Sequence, residues 1–362
     1  MLCACHARGA ELFVRGRAEQ RGARSRWYSR PSWAVRLRAD KEIELATLLV
    51  ASAGGHLQEL FDLYPRFDVV QDSDPTWVTF DTAQARSLLA GADVVYAPYP
   101  RPRDLAVTAR HAWLARRVLA HGRFNYVIST GSSIAVPFLG GARLRGASCH
   151  YIESATRLTA PSLTGKIVAR VPGISLYSQI STWAKPWHYS GTVFDGYEMT
   201  ERARGPILKV AVATGSSESY GFRRLLEAAL RAVPAGAEVT WQTGSTSVDG
   251  LPIEARPGIP SAQLAAEFAA ADVVITHAGV GLSLLALSSG RCPVLVPRLA
   301  ERGEHVDNHQ REVAAELDRR GLAVACEAED LTTDVLEHAA SRSVARVASP
   351  PAFHLVERTR GL

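Results

Sequence analysis

The sequence lacks the features of several common protein classes. No apolar run reaches the roughly 18–20 residues that a membrane-spanning helix needs. Only five cysteines occur, and they form neither a CxxC pair nor a ligand set with nearby histidines. They indicate reduced thiols in a cytoplasmic protein and no zinc site. The GxGxxG fingerprint of dinucleotide-binding domains is also absent, which disfavours an NAD-dependent oxidoreductase.

Positive charge is concentrated at one end of the chain. Residues 1–40 hold nine arginines against Glu11, Glu19 and Asp40, whereas the whole chain has a formal net charge of +5. The remaining chain is close to neutral, which gives no sign of a nucleic-acid-binding face. Residues 1–40 also lack the apolar core of a signal peptide. We predict a flexible basic leader that either contacts anionic lipid headgroups or results from an over-extended start codon.

Strands, glycine turns and helices alternate along most of the chain. Short β-rich runs such as IELATLLV, VAVAT and DVVIT end at glycine turns that open helices. This alternation predicts an α/β fold with two doubly wound, Rossmann-like domains that face each other. The charged segment YEMTERARGP marks the linker between them. The predicted ranges are a leader (1–40), a first domain (41–196), a linker (197–206), a second domain (207–345) and a tail (346–362).

The densest set of candidate binding groups lies in residues 271–317. This stretch predicts a buried strand at 272–276, the turn HAGVG and a helix at about 283–289. Glycines let a backbone approach a ligand closely, and the positive end of a helix favours a phosphate group. A second strand at 293–297 precedes the loop EHVDNHQ, which has more hydrogen-bonding groups than a connector needs. The alternative is that the segment is an ordinary buried strand–turn–helix connection followed by a solvated loop, with no ligand.

The first domain begins with a similar joint, SAGGHLQEL, which places His56 at the start of a helix. An unperturbed pKa of about 6.5 lets a histidine accept a proton near neutral pH, and a positive helix end keeps it neutral. His56 is therefore a candidate for catalysis or acceptor binding. The alternative is a helix-capping, structural histidine.

Two further segments of the first domain carry charged groups. Glu153 follows the run HYI at the carboxyl end of a predicted strand, where open α/β sheets bind ligands. It could act as a base or hold an acceptor hydroxyl. Arg157 and Lys166 could face a diphosphate, as a planar fork and a point charge, or they could be solvated surface charges.

Several of these motifs together resemble one family. The ordered set HAGVG, GRCPVLVPR and GEHVDNHQREVA is similar to the nucleotide-sugar-binding half of family-28-type glycosyltransferases. SAGGHLQEL, IES-x-x-R and SLTGK are similar to the acceptor half. The chain thus looks like a fusion of the large and small subunits of bacterial exopolysaccharide glycosyltransferases, which are related to eukaryotic Alg14 and Alg13 and distantly to MurG. The resemblance covers roughly residues 44–340 and implies the GT-B fold.

The resemblance implies transfer of a sugar, GlcNAc or another hexose, from a UDP-sugar to a polyprenyl-diphosphate-linked acceptor in polysaccharide synthesis. Backbone dipoles would stabilise the departing UDP, so neither a metal nor a cofactor is implied. The implied residues are His56 and Glu153 for catalysis, Gly54, Gly55 and Arg157 for the acceptor, and Thr214, Gly215, His277, Gly279, Gly281, Ser283, Asp307, Asn308, His309 and Gln310 for the nucleotide sugar. One departure is Leu285, where MurG and Alg13 place a ribose-binding glutamate.

Two other functions stay open on the sequence alone. A UDP-sugar epimerase of the same architecture would need no acceptor, and a non-catalytic scaffold would hold another synthase at the membrane. Since no transmembrane anchor is visible, we expect a cytoplasmic protein attached peripherally to the inner face of the cell membrane, through apolar and basic surface on the first domain. The expected partners are the UDP-sugar, the lipid-linked acceptor, the membrane surface and polysaccharide-synthesis proteins, without nucleic acid.

Overall fold

The computed structural model describes residues 46–68, 74–99, 105–203, 205–215 and 220–356, and the predicted leader lies outside these ranges. A first sheet contains seven parallel strands in the order β3-β2-β1-β4-β5-β6-β7. Its strands are β1 (Thr47–Ala51), β2 (Thr76–Phe80), β3 (Asp93–Ala97), β4 (Tyr126–Gly131), β5 (Ser148–Ile152), β6 (Ile174–Ser178) and β7 (Trp187–Tyr189).

A short strand, β8 (Tyr197–Glu201), separates this sheet from a second one. The second sheet contains six parallel strands in the order β11-β10-β9-β12-β13-β14. Its strands are β9 (Lys209–Ala213), β10 (Glu238–Gln242), β11 (Ala255–Arg256), β12 (Val273–His277), β13 (Val294–Val296) and β14 (Val324–Ala325). The α/β prediction is confirmed, and each sheet has the doubly wound strand order.

Helices cover both faces of the sheets. They are α1 (Gly55–Leu63), α2 (Ala83–Leu88), α3 (Leu105–His121), α4 (Ala135–Arg143), α5 (Leu163–Val168), α6 (Arg223–Ala232), α7 (Ser261–Ala270), α8 (Val280–Ser288), α9 (His309–Arg319) and α10 (Thr333–Ala340). Helix α4 packs between α3 and α5, whereas α1 packs against α8 of the second half. Every residue of β1 is buried, because a central parallel strand is covered on both faces.

The predicted linker contains a short strand, β8. β8 pairs antiparallel with β15 (Arg342–Arg346), so the end of the second half returns to the junction. The chain then continues onto the first half, where the Phe353 ring packs against the rings of Phe67 and Tyr177 with centroids 5.7 Å apart in both pairs. The described part of the predicted tail therefore packs against the first half through Phe353.

Helix α8 begins earlier than the sequence indicates. The structure starts it at Val280, three residues before the predicted start at Ser283, with Gly279 at the N-cap. As a result Gly281 lies within the first turn, where backbone N–H groups have no partner inside the helix. None of the described helices combines the length and apolar character that crossing a bilayer requires.

Candidate active site

A cleft with a volume of about 700 Å³ lies between the two halves. In each sheet the strand order reverses beside its first strand, between β1 and β4 and between β9 and β12, and ligands of open α/β sheets bind at such points. Both reversal points open onto this cleft. Of the predicted site residues, those that line it are Gly54, Gly55, His56, Thr214, Gly215, His277, Gly279, Gly281, His309 and Gln310.

The glycine turns of the two halves touch across the cleft. A Cβ placed on Gly281 would lie 3.2 Å from the backbone nitrogen of Gly55, and one placed on Gly55 would lie 3.3 Å from the nitrogen of Gly281. No side chain caps the N-terminus of α1 or α8. Two positive helix ends therefore face one space, an arrangement that attracts anions.

A glutamine holds the first glycine turn of each half in the same way. The amide of Gln84 accepts from the Gly54 N–H at 2.7 Å and donates to the Gly54 carbonyl at 3.2 Å. The amide of Gln242 accepts from the Gly215 N–H at 2.9 Å and donates to the Gly215 carbonyl at 3.0 Å. Both glycines have positive φ, 87° and 85°, so these paired bonds fix a backbone conformation that other residues rarely adopt.

His56 is held in the tautomer that a general base needs. Its Nδ1 lies 2.8 Å from the carbonyl oxygen of Thr130, and the Thr130 hydroxyl donates back to the His56 carbonyl at 2.7 Å. A carbonyl only accepts, so in the neutral ring Nδ1 carries the proton and Nε2 keeps its lone pair. Nε2 has no hydrogen-bond partner among the described residues. Burial, with Arg157 as a lesser cause, lowers the pKa of His56 and keeps the ring neutral.

The side chain of Glu153, predicted to act at the cleft, is directed elsewhere. The residue is buried but does not line the cleft. Its Oε2 accepts from the backbone N–H and the hydroxyl of Ser162, both at 3.0 Å, and its Oε1 accepts from the Tyr151 hydroxyl at 3.2 Å. Since Ser162 is the N-cap of α5, the carboxyl secures the start of that helix. The position after β5 was predicted correctly, but the side chain turns away from the cleft.

A different glutamate lies at the cleft and was missed. Glu59, on α1, accepts from the Ser154 hydroxyl at 2.6 Å, the Ala155 N–H at 3.0 Å and the Gln179 amide at 2.9 Å. Burial raises the pKa of Glu59 to about 7 in spite of these bonds. Its contacts join α1 to the segment after β5. Its position one helical turn from His56 was the signal available in the sequence.

His277 lies between two glycines of the second half. A Cβ on Gly215 would come within 2.6 Å of its ring, and a Cβ on Gly279 would overlap it. Only glycine leaves room for the imidazole at these positions. Burial first, and then the charges of Arg298 and two neighbouring histidines, lower the pKa of His277 well below its ordinary value. Its Nδ1 is shielded from solvent without a hydrogen bond of ordinary geometry.

The polar loop before α9 divides into two groups. His309 and Gln310 line the cleft, whereas Asp307 and Asn308 do not. The Gln310 carbonyl oxygen accepts from the Arg298 N–H at 3.0 Å, and the Asn308 oxygen accepts from the Ala300 N–H at 2.8 Å. These two side chains therefore shape the loop. Asp307 accepts a hydrogen bond from the His309 imidazole.

Two other predicted ligands are placed differently from expectation. Arg157 extends from the first half and forms an ion pair with Asp307, Nη1 to Oδ2, at 3.0 Å. Ser283 is fully buried in α8, where its hydroxyl donates to the Gly279 carbonyl at 3.0 Å. Neither lines the cleft. The Ser283 hydroxyl thus stabilises the glycine turn from within the helix. Lys166 lies on α5 and is exposed. Leu285, the departure noted above, does line the cleft.

Arg298 is a second cleft residue that was not predicted. It follows β13 at the carboxyl end of the second sheet, lines the cleft and is only 2% exposed. A charged residue directly after a buried strand was the available signal, because the carboxyl ends of parallel strands meet at the ligand-binding edge.

Among the described residues, one cluster has the donor types and spacing for a metal ion: His305, Asp307 and His309, with ligand atoms within 4.8 Å of one another. The guanidinium of Arg157 already contacts the Asp307 carboxylate, and Arg298 acts on the His305 ring as a repelling charge. Nearby cations oppose binding of a further cation. The prediction of a metal-independent site stays a prediction.

Known proteins resemble the chain in sequence and in fold. Residues 209–352 match the glycosyltransferase family 28 C-terminal domain. An N-acetylglucosamine transferase of Solibacter usitatus, whose acceptor is named as N-acetylmuramyl-(pentapeptide) pyrophosphoryl-undecaprenol, is 28% identical over 219 residues, which make up 54% of this chain and 57% of that protein. The chain thus spans little more than half the length of this curated relative.

The fold comparison extends over both halves. MurG of Acinetobacter baumannii aligns over 82% of this chain and 89% of its own, with 20% identity and a TM-score of 0.50. SnogD of Streptomyces nogalater aligns over 82% and 94%, with 17% identity and a TM-score of 0.52. The predicted GT-B fold is confirmed. Residues 209–352 thus match the family-28 domain that the motifs predicted, and the chain is distantly similar to MurG. These matches support the predicted transferase class.

Proposed function

We propose that the protein transfers a hexose, GlcNAc or a close relative, from a UDP-sugar to a polyprenyl-diphosphate-linked acceptor in polysaccharide or glycolipid synthesis. The observation that carries this proposal is the pairing across the cleft of a base-competent His56 with the positive end of α8. The Solibacter relative is named for GlcNAc transfer to a lipid-linked diphosphate, which supports the same chemistry. The exopolysaccharide context rests on the motif resemblance.

His56 would activate the acceptor. Its Nε2 removes the proton from the acceptor hydroxyl while that oxygen forms a bond to the anomeric carbon of the donor sugar. The bond between the anomeric carbon and the diphosphate oxygen breaks, and its electron pair leaves with UDP. The Thr130 carbonyl, 2.8 Å from Nδ1, stabilises the imidazolium that results. The proton then passes to solvent.

The second half would hold the donor. The first-turn N–H groups of α8, beside Gly279 and Gly281, face the cleft and would bind the diphosphate as negative charge develops on it. His277 and His309 lie at the same wall, and the Gln310 amide nitrogen has no partner among the described residues and could reach a sugar or ribose hydroxyl. A preorganised set of dipoles supplies the stabilisation without a bound metal.

The outer face of the first half fits a membrane surface. Residues 105–170 contain nine arginines and lysines and a single acidic residue, the buried Glu153. Four apolar side chains on α3, α5 and the turn after α4 are exposed by 41–89%: Trp113, Leu144, Leu163 and Ile167. Apolar side chains among basic ones bind anionic headgroups. We infer peripheral attachment here, on the cytoplasmic side where UDP-sugars are used.

The direct test measures UDP release from UDP-GlcNAc in anionic vesicles that carry a polyprenyl-diphosphate-linked sugar. We expect release only when acceptor is present. His56→Ala should lower kcat by about 100-fold or more, the usual contribution of a general base, while UDP still binds. His338→Ala, at an exposed position on α10, serves as the control.

The same assay separates the other functions. Conversion of UDP-GlcNAc into an isomer without acceptor would support the epimerase. Full activity of His56→Ala in cells, with no turnover in vitro by the wild type, would support the scaffold.

A further inference from the structure

Arg298 is a buried guanidinium at the wall of the cleft. It follows β13, is 2% exposed and lies over the Phe222 ring, with its Cζ 5.4 Å from the ring centroid. One Nη donates to the Thr214 carbonyl at 2.5 Å. Its Nε is shielded from solvent and has no hydrogen-bond partner in the described part of the chain. The side chain is thus held by one neutral acceptor, with donor capacity left over.

No carboxylate among the described residues forms an ion pair with Arg298. The acid that acts on it, Glu304, is engaged by Arg224 through two hydrogen bonds of 3.1 and 2.9 Å. Asp307 is bound by Arg157 and His309. Glu304 and Asp307 therefore each already contact another cation.

A buried charge without a counter-ion is costly, because the interior solvates it poorly. Burial lowers the pKa of Arg298 to about 10, so the group is still charged at neutral pH. Among the described residues of the second half that line the cleft, the other titratable side chains are His277, His305 and His309, and none of them offers a negative charge. An anionic ligand in the cleft would supply the counter-ion that these residues lack.

The start of α8 points to the same kind of ligand. This nine-residue helix has Gly279 at its N-cap and no side chain that caps it. Arg298 is close enough to His277, the residue that precedes the turn, to repel its proton. A helix N-terminus and a guanidinium that share one wall suit two adjacent phosphate groups better than one.

We propose that Arg298 is the counter-ion of the donor's diphosphate and makes the cleft select nucleoside diphosphates over monophosphates. The inference rests on the proposed function and adds the residue that recognises the second phosphate. Arg298 binds this phosphate through the Nη–H groups that the Thr214 carbonyl does not engage, while the first-turn N–H groups of α8 hold the other. Its fixed contact with Thr214 orients the planar fork before the ligand arrives.

The test is calorimetric titration of the full chain with UDP, UMP, inorganic pyrophosphate and geranyl diphosphate. The variants are Arg298→Met, which removes the charge at similar volume, and Arg298→Lys, which keeps a point charge. Arg302→Met, half-exposed and paired with Glu329, is the matched control. We expect Arg298→Met to weaken UDP binding about 10- to 100-fold, the loss of a charge-assisted contact, and UMP binding by less than about threefold. Arg298→Lys should be intermediate.

Stability provides a second readout. Without ligand, Arg298→Met should unfold at the same temperature as the wild type or higher, because an unpaired buried charge is removed. If Arg298 were only structural, the variant would unfold earlier and would keep the UDP affinity of its folded fraction. That result would overturn the proposal.

The ligands distinguish the sources of the diphosphate. Equal UDP affinity in wild type and Arg298→Met would overturn this inference and leave the proposed function standing. A loss confined to geranyl diphosphate would assign Arg298 to the lipid carrier and overturn the donor assignment. Absence of UDP binding by the wild type would contradict the proposed function itself.

Discussion

Arg157 and Asp307 join the two halves of the chain outside the lining of the cleft, with Nη1 of the arginine 3.0 Å from Oδ2 of the aspartate. Arg157 follows β5 of the first sheet, and Asp307 lies in the loop after β13 of the second. Burial alone would raise the pKa of Asp307, but His309 and Arg157 outweigh it and lower the pKa to about 2. The aspartate is therefore charged at neutral pH, and the bridge holds a loop that supplies His309 to the cleft.

A double-mutant cycle on Arg157→Ala and Asp307→Ala tests this bridge. The two side chains are 35% and 36% exposed, so we expect a coupling energy of at most about 1 kcal/mol in urea unfolding, reduced by salt. The KM for the donor should rise in both variants. The control is the surface pair Arg86–Asp81 within the first half. Its variants should show a similarly small coupling energy in unfolding and an unchanged KM. A coupling above about 3 kcal/mol would mean that the pair behaves as a buried one.

Gly281→Ala should impair turnover through backbone crowding. The new Cβ would lie 3.2–3.3 Å from the nitrogen and Cα of Gly55, which forces the two glycine turns apart by a few tenths of an ångström. We expect at least about a tenfold loss of kcat/KM, since small misplacements at reacting groups are costly. Gly140→Ala is the control, because that glycine lies in α4 with open space around it.

The control variant Gly140→Ala should be slightly more stable than the wild type. Alanine in a helix is favoured over glycine by about 0.5–1 kcal/mol, so Gly140→Ala should retain activity and unfold slightly later. Normal kinetics for Gly281→Ala would show that the turns do not need this close approach.

Gln242→Glu should destabilise the second half. The Gln242 amide donates to the carbonyls of Gly215 and Pro257 at 3.0 and 3.1 Å, and a carboxylate would oppose both. The side chain is 3% exposed, so we expect a loss of about 1–3 kcal/mol in the free energy of unfolding. The same substitution at the exposed Gln263 should change it by less than about 0.5 kcal/mol. Equal effects at the two positions would contradict the role given to Gln242.

The pH dependence of kcat/KM reports on His56 in the free enzyme. Burial lowers its pKa, so the ring stays neutral below pH 6.5, where an ordinary histidine would begin to take a proton. We expect the acidic limb of the kcat/KM profile below pH 6.5. The unfolded chain does protonate this histidine there, so the same group also disfavours the folded state as pH falls through that range. An acidic limb at or above pH 6.5 would contradict the assignment.

The fold was largely predictable because it depends on local patterns. The buried β-branched runs and the glycines after them correctly located the strands around Gly54, Gly215 and Gly279. The start of α8 was missed because no capping side chain marks it. The strand within the predicted linker was not predicted, because β8 pairs with β15, about 140 residues away, and no local pattern reveals that pairing.

The site was only partly predictable, since side-chain direction is a tertiary property. His56 and His277 were placed at the cleft correctly because each directly adjoins a glycine turn, and their roles there stay predictions. Glu153 has the right position on its strand, but Ser162 binds its carboxyl, and nothing in the sequence shows that pairing. Arg298 becomes notable only when its burial and the commitment of Glu304 to Arg224 are known.

The most direct test of the central claim, that the cleft binds a UDP-sugar, is thermal unfolding of the full chain with UDP, UDP-GlcNAc, UDP-glucose, GDP, dTDP and NAD. A ligand that binds only the folded state adds about 2.7 kcal/mol of stability at a concentration of about 100 Kd. We predict a selective rise of the unfolding temperature with UDP and its sugars. A rise with GDP or dTDP alone would leave the fold assignment unchanged and show that the donor carries that nucleotide instead of UDP. No rise with any nucleotide would contradict the claim.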